Sequence, residues 1–122
     1  MKKLRLITLS VLATGVLFAV AVPALAQHSR STASITVTEG KPAVFSLSLS
    51  ASTVAHGTVT FNVKNVGVLP HDFTINGKKT PQLAAGKSAT LVVTFAKAGK
   101  YPYSCTLPGH AAGGMKGTLT VT

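Results

Sequence analysis

Residues 57–66 read GTVTFNVKNV. Val59, Phe61 and Val63 alternate with Thr58, Thr60, Asn62 and Lys64. A period of two puts successive side chains on opposite faces of an extended chain, so this stretch predicts a strand with one apolar and one polar face. The same period recurs on either side. SITVTE alternates from Ser34, AVFSLSLS sets Val44 or Phe45, Leu47 and Leu49 among serines, and SATLVVTF forms a further run. DFTI ends in the turn signal NGKK, AGKYPYSC runs into Cys105, and MKGTLTVT closes the chain. Gly, Pro, Asn and Lys separate these runs, as they do between short strands. TPQLAAGKSA is ambiguous, but its AAG reads as a turn, and no helix is expected after residue 26. Seven or eight short strands in about 90 residues predict an all-β, two-sheet antiparallel sandwich.

The beginning of the chain has a different character. MKKLR is basic, LITLSVLATGVLFAVAV is apolar, and PALA ends with small residues at Ala24 and Ala26. That order predicts a secretory signal cleaved after Ala26. The rival is an uncleaved membrane anchor, because the apolar run approaches the ~20 residues of a spanning helix. The expected organisation is a signal at 1–26, a loose tail at 27–33 (QHSRSTA) and one domain at 34–122. The 122 residues carry a formal net charge of +10, and the only acids are Glu39 and Asp72. Lysines are scattered rather than clustered, which suits a solvated surface and steering toward an acidic partner or anionic membrane surface. No basic cluster is interleaved with aromatics, so nucleic acid is not an expected partner.

Cys105 is the only cysteine, so no disulfide can form within the chain. An exported thiol is then expected to be buried, paired with another chain, or bound to something. His110 lies five residues on and Met115 five further, in a loop containing Pro108 and three glycines. Upstream, His71 follows Leu69 and Pro70 in NVGVLPHDFTI and precedes a strand. Singly, each has a plain structural explanation: a small buried hydrophobe, a core filler, a solvated loop histidine. Together, at one predicted sheet end, one thiol, two imidazoles and a thioether form a soft donor set. Such ligands select copper, and two histidines and a cysteine with a weak axial methionine are the blue-copper arrangement. Zinc is the rival metal, although methionine is an unusual zinc ligand and structural zinc sites usually carry more cysteines. A binuclear copper site would need a second bridging cysteine. His28 in the tail and His56 in VAHGT are expected to be solvated.

YSCTLPGHAAGGMKGTLTV together with NVGVLPHDFTI resembles the cupredoxins, the small blue copper proteins that include plastocyanin, pseudoazurin and rusticyanin. The resemblance runs from about Ile35 to Val121, and the C-x4-H-x4-M loop is similar to that of the rusticyanin type. It implies a Greek-key sandwich holding one type 1 copper. His71 would be the first ligand, Cys105 the thiolate, His110 the second imidazole and Met115 the axial ligand. Asp72 stands where many relatives carry asparagine. It is expected to hydrogen-bond across to Thr106, bracing the two ligand loops, and to lower the reduction potential by favouring copper(II).

The implied function is one-electron transfer outside the cytoplasm by a monomer that is not an enzyme. Redox protein partners, acidic ones being favoured by the lysines, would dock near His110 among Leu107, Pro108, Ala111 and Ala112. The alternative is a carrier that delivers copper to a membrane oxidase or another copper enzyme.

Overall fold

The computed structural model describes residues 32–122 together with 15, 16 and 18–21. The cleavage site after Ala26, most of the expected tail, and His28 lie outside the described residues. No helix among the described residues is long and apolar enough to cross a membrane.

Among the described residues nine strands form two layers: β1 (Thr32–Glu39), β2 (Leu47–Leu49), β3 (Thr53–Val54), β4 (Gly57–Asn65), β5 (Thr74–Ile75), β6 (Lys78–Lys79), β7 (Ser88–Phe95), β8 (Gly99–Ser104) and β9 (Lys116–Val121). One sheet has the order β2-β1-β4-β7, the other β3-β9-β8-β5-β6. The alternating runs define the inner faces. Ile35 and Val37 of β1, Val59, Phe61 and Val63 of β4, and Val93 and Phe95 of β7 meet Ile75, Leu119 and Val121 from the opposite sheet. Phe73 joins them, with its ring 5.2 Å from that of Phe61. Each such side chain contributes roughly 1.5–3 kcal/mol through burial.

The sheets are mixed, whereas the sequence predicts an antiparallel sandwich. β1 runs parallel to β4 along its whole length, from Thr32↔Thr58 to Glu39↔Asn65. β3 runs parallel to β9. The cause is the crossover: after the β1–β2 hairpin the chain enters the other sheet as β3, then returns as β4 on the far side of β1. Strand boundaries also differ. β1 takes in Thr32 and Ala33, which the sequence reading assigns to the tail. AVFSLSLS is strand only at Leu47–Leu49. Val44 and Phe45 lie in a turn that Ser46 closes through both its amide and its hydroxyl to Ala43. NGKK is a tight hairpin between β5 and β6, with Asn76 at φ 49° and Gly77 at φ 71°. Positive φ at both central residues matches the twist of the flanking strands.

The end of β1, the end of β4, the end of β8 and the start of β9 share one pole, where Ser104 pairs with Lys116. His71 reaches the same pole just before β5.

Candidate metal centre

His71 is held by its backbone. Its amide donates to the Leu83 carbonyl at 3.0 Å, and the Leu83 amide donates back at 2.7 Å. Buried Asn65 folds the loop that leads to it. The Asn65 side-chain Nδ2 donates to the carbonyls of Leu69 (2.7 Å) and Leu83 (2.9 Å), while its Oδ1 accepts from the Gly67 amide (2.9 Å). Gly67 in turn lies against Gly40 at the end of β1. A Cβ on Gly40 would stand 2.6 Å from the Gly67 Cα, so neither position has room for a side chain.

The second ligand loop is a series of turns closed by its own amides. Cys105 donates to the Met115 carbonyl (3.0 Å), Met115 to that of His110 (3.1 Å) and His110 to that of Leu107 (3.1 Å). Cys105 and Met115, at the two ends, are buried.

These two loops bring His71, Cys105 and His110 together, with one ligand atom of each lying within 4.8 Å of the others. The Nδ1 atoms of His71 and His110 are 3.0 Å apart, and the Cys105 Sγ is 3.5 Å from the His110 Nδ1. Nitrogens ~2.0 Å and a sulfur ~2.3 Å from one first-row ion, at tetrahedral angles, stand ~3.3 Å and ~3.5 Å apart. The trio therefore has the spacing of a single ion's ligands, and its donor chemistry fits one type 1 copper. Met115 lies fully buried where the loop rejoins β9.

Burial dominates the protonation of Cys105 and His71. It pushes the Cys105 thiol up, against hydrogen bonds from the amides of Asp72 and Leu107, and it pushes His71 down, helped by the neighbouring His110. A neutral imidazole is the form that binds metal, whereas the thiol must lose its proton, so metal uptake releases a proton here.

Asp72 ties the loops together. One carboxylate oxygen accepts the Thr106 amide at 2.6 Å, the other the Thr106 hydroxyl at 2.5 Å. Lys79 of β6 stands 3.2 Å from the same carboxylate. Burial alone would raise the pKa of Asp72. The two Thr106 bonds and Lys79 outweigh it and hold the carboxyl below its ordinary range. The Asp72 amide also points at the Cys105 sulfur, 3.4 Å away.

His56, expected to be solvated, is exposed, with its Nδ1 2.9 Å from the Thr122 carbonyl oxygen. The loop surface carries more apolar residues than Leu107, Pro108, Ala111 and Ala112. Phe45 sits with its ring 5.0 Å from that of His110, and Val44, Val68 and Leu69 are exposed nearby in sequence to Phe45 and His71. Sequence reasoning missed Phe45, Asn65, Lys79 and Glu39. Only Glu39 had a signal: it continues the register of Ile35 and Val37, which is the inner face of β1.

Comparison with known proteins agrees with this geometry. The family model described as a cupredoxin-like domain matches residues 10–121. Auracyanin-B of Chloroflexus aurantiacus is 51% identical over 43 residues, covering 35% of this chain and 18% of that protein. The copper-resistant cuproprotein CopI of Pseudomonas aeruginosa is 53% identical over 36 residues, covering 30% and 20%. The match thus spans about a fifth of the length of these curated relatives. Auracyanin A, a "blue" copper protein of Chloroflexus aurantiacus, superposes with a TM-score of 0.61 at 20% identity, over 75% of this chain and 100% of that one. At that identity the superposition speaks for the fold. With the family model spanning nearly the whole of it, this chain belongs to the cupredoxin-like domain family.

Proposed function

We propose that this chain is a one-electron carrier that works outside the cytoplasm with a single type 1 copper held by His71, Cys105, His110 and Met115. The observation that carries this reading is the convergence of one thiol and one nitrogen from each of two imidazoles within 4.8 Å, at a pole fixed by backbone hydrogen bonds and by the buried side chains of Asn65 and Asp72. A copper ion held there supplies the one-electron couple. The protein residues do the rest. Asn65 and Leu83 hold His71 in place, and Asp72 and Thr106 hold the Cys105 loop against it, so both ligand loops are braced by bonds within the protein. A site that need not rearrange passes an electron quickly.

His71 and Cys105 are buried, while the His110 ring is half-exposed, so His110 is the edge through which an electron would leave. The apolar surface around it, with Phe45 as its aromatic member, suits brief docking through a small interface. Scattered lysines, eight in residues 34–122 against Glu39 and Asp72, would steer an acidic redox partner toward it. The basic, then apolar, then small-residue beginning of the chain supports export, with residues 34–122 as the working domain and the protein acting as a monomer.

The match to a copper-resistant cuproprotein supports a second reading, a carrier that hands the ion itself to another protein. Exchange separates the two: a carrier gives copper up to a chelator readily, and a shuttle holds it. The first test is a visible spectrum with electron paramagnetic resonance of the copper(II)-loaded protein. An intense thiolate-to-copper band with narrow hyperfine splitting is expected. A colourless sample, or only the weak blue of histidine-bound copper, would sink the electron-transfer reading.

A further inference from the structure

Three of the four buried side-chain polar atoms that lack a hydrogen-bond partner among the described residues are Glu39 Oε1, Glu39 Oε2 and His71 Nε2. Both side chains are fully buried, with 0% exposure. A buried acid with no partner is costly, and a native fold keeps one only where something uses it. Glu39 follows Ile35 and Val37 on the inner face of β1, so its side chain enters the core at the metal pole. The next residue, Gly40, lies directly on the far nitrogen of His71, where a Cβ would stand 3.2 Å from Nε2. The field of Glu39 also reaches both Asp72 and Cys105.

His71 presents Nδ1 to His110. A histidine that binds a metal through Nδ1 carries its remaining proton on Nε2. Here that nitrogen is out of reach of water, so binding turns it into a donor that needs an acceptor from the protein. Metal-bound histidines generally find one, and it sets ring orientation and donor strength.

We propose that Glu39 is the positioning residue for His71: neither makes a side-chain bond at these atoms in the structure, and on metal binding a Glu39 oxygen accepts the His71 Nε2 proton and locks the tautomer that leaves Nδ1 free for the metal. The role does not depend on the charge of Glu39, because a carboxylate and a carboxylic acid both offer an accepting oxygen. The inference rests on the reading of the pole as a copper centre.

The test compares wild type, Glu39→Gln and Glu39→Leu, each loaded with copper. Gln keeps an accepting oxygen in the same place, whereas Leu removes it. In the reduced, diamagnetic wild type, the His71 Nε2 proton is expected as a slowly exchanging resonance. It persists in Glu39→Gln and is lost to exchange in Glu39→Leu. The reduction potential is expected to rise in Glu39→Leu, because a weaker imidazole donor stabilises copper(II) less relative to copper(I), and to move less in Glu39→Gln. If Glu39→Leu does not fold, a fast-exchanging His71 proton in the wild type would by itself overturn the proposal, and a slow one retained in Glu39→Gln would support it. A normal type 1 spectrum with the same resonance and potential in Glu39→Leu as in wild type would overturn the role of Glu39 alone. A wild type with no type 1 spectrum would overturn the copper reading, and the proposal with it.

Discussion

Asp72 grips Thr106 with both carboxylate oxygens, one on the amide and one on the hydroxyl. The residues are 34 apart in sequence, and each adjoins a member of the trio, His71 and Cys105. Asp72→Ala is expected to destabilise the fold by roughly 2–3 kcal/mol, the scale for losing hydrogen bonds to a charged group. Lys79 adds little to that figure, since its side chain is half-exposed. Urea denaturation measures the loss. The reduction potential should rise once the negative charge is gone, and an unchanged potential would count against any electrostatic role for Asp72.

Glu39 makes a pH prediction for the metal-free protein. Burial, and then the nearby Asp72 charge, push its carboxyl from an ordinary value of 4.5 up to about 7. Between those values the folded state keeps a proton that the unfolded state has lost. Stability therefore falls as pH rises through this window, by on the order of 3 kcal/mol, and levels off above it. Glu39→Gln should flatten the slope. Asp72 acts in the opposite sense: its carboxyl is held below its ordinary value, so its contribution is lost as pH falls through acid values. Denaturation midpoints across pH 3–8 check both signs.

Gly67→Ala tests the close approach at the metal pole. The new Cβ would stand 2.8 Å from the Gly40 Cα, a backbone atom that cannot swing away. A cost of ~1–3 kcal/mol is expected, as for other overpacked sites. Because Gly40 also touches His71, weaker copper retention against a chelator should accompany it. Full stability in this variant would mean that the two loops can separate freely.

His110→Gly opens the exposed side of the trio while leaving Cys105 and His71 in place. This variant should hold copper in its coloured form only when imidazole is added. Tight, coloured binding without an added ligand would show that His110 is not a ligand.

Phe45→Ala removes an aromatic side chain from beside His110 without touching Cys105 or His71. Stopped-flow electron transfer with an acidic redox protein should slow on the order of tenfold, ~1.4 kcal/mol, with the visible spectrum unchanged. The rate of the parent protein should also fall as salt rises. Equal rates for both proteins would place docking elsewhere.

Much of this was legible in the chain, for physical reasons that differ by element. The long strands β4, β7 and β9 show their two faces because each has one side in the core. Cys105, His110 and Met115 stand out because a single loop carries all three, so spacing is enough. His71 is distant, but its place after Pro70 and before a strand sets it at a sheet end. The two-residue strands β3, β5 and β6 are too short to show a period. The parallel pairing of β1 with β4 depends on a crossover between sheets, which leaves no local trace. Phe45 and Asn65 were missed because their work is done on partners distant in sequence or by ordinary loop bonding. Glu39 was visible as a register position but reads as surface charge until the burial is known.

The direction of β1 decides how the molecule presents itself. The strand ends at Glu39 and Gly40, against His71, and begins at Thr32, eight residues and ~26 Å away at ~3.3 Å per residue. Anything attached through the residues before Thr32 would hold the molecule by the pole remote from His110. On such a tether the domain would swing with His110 and Phe45 facing outward, so the leash would set how far the site can reach without covering it.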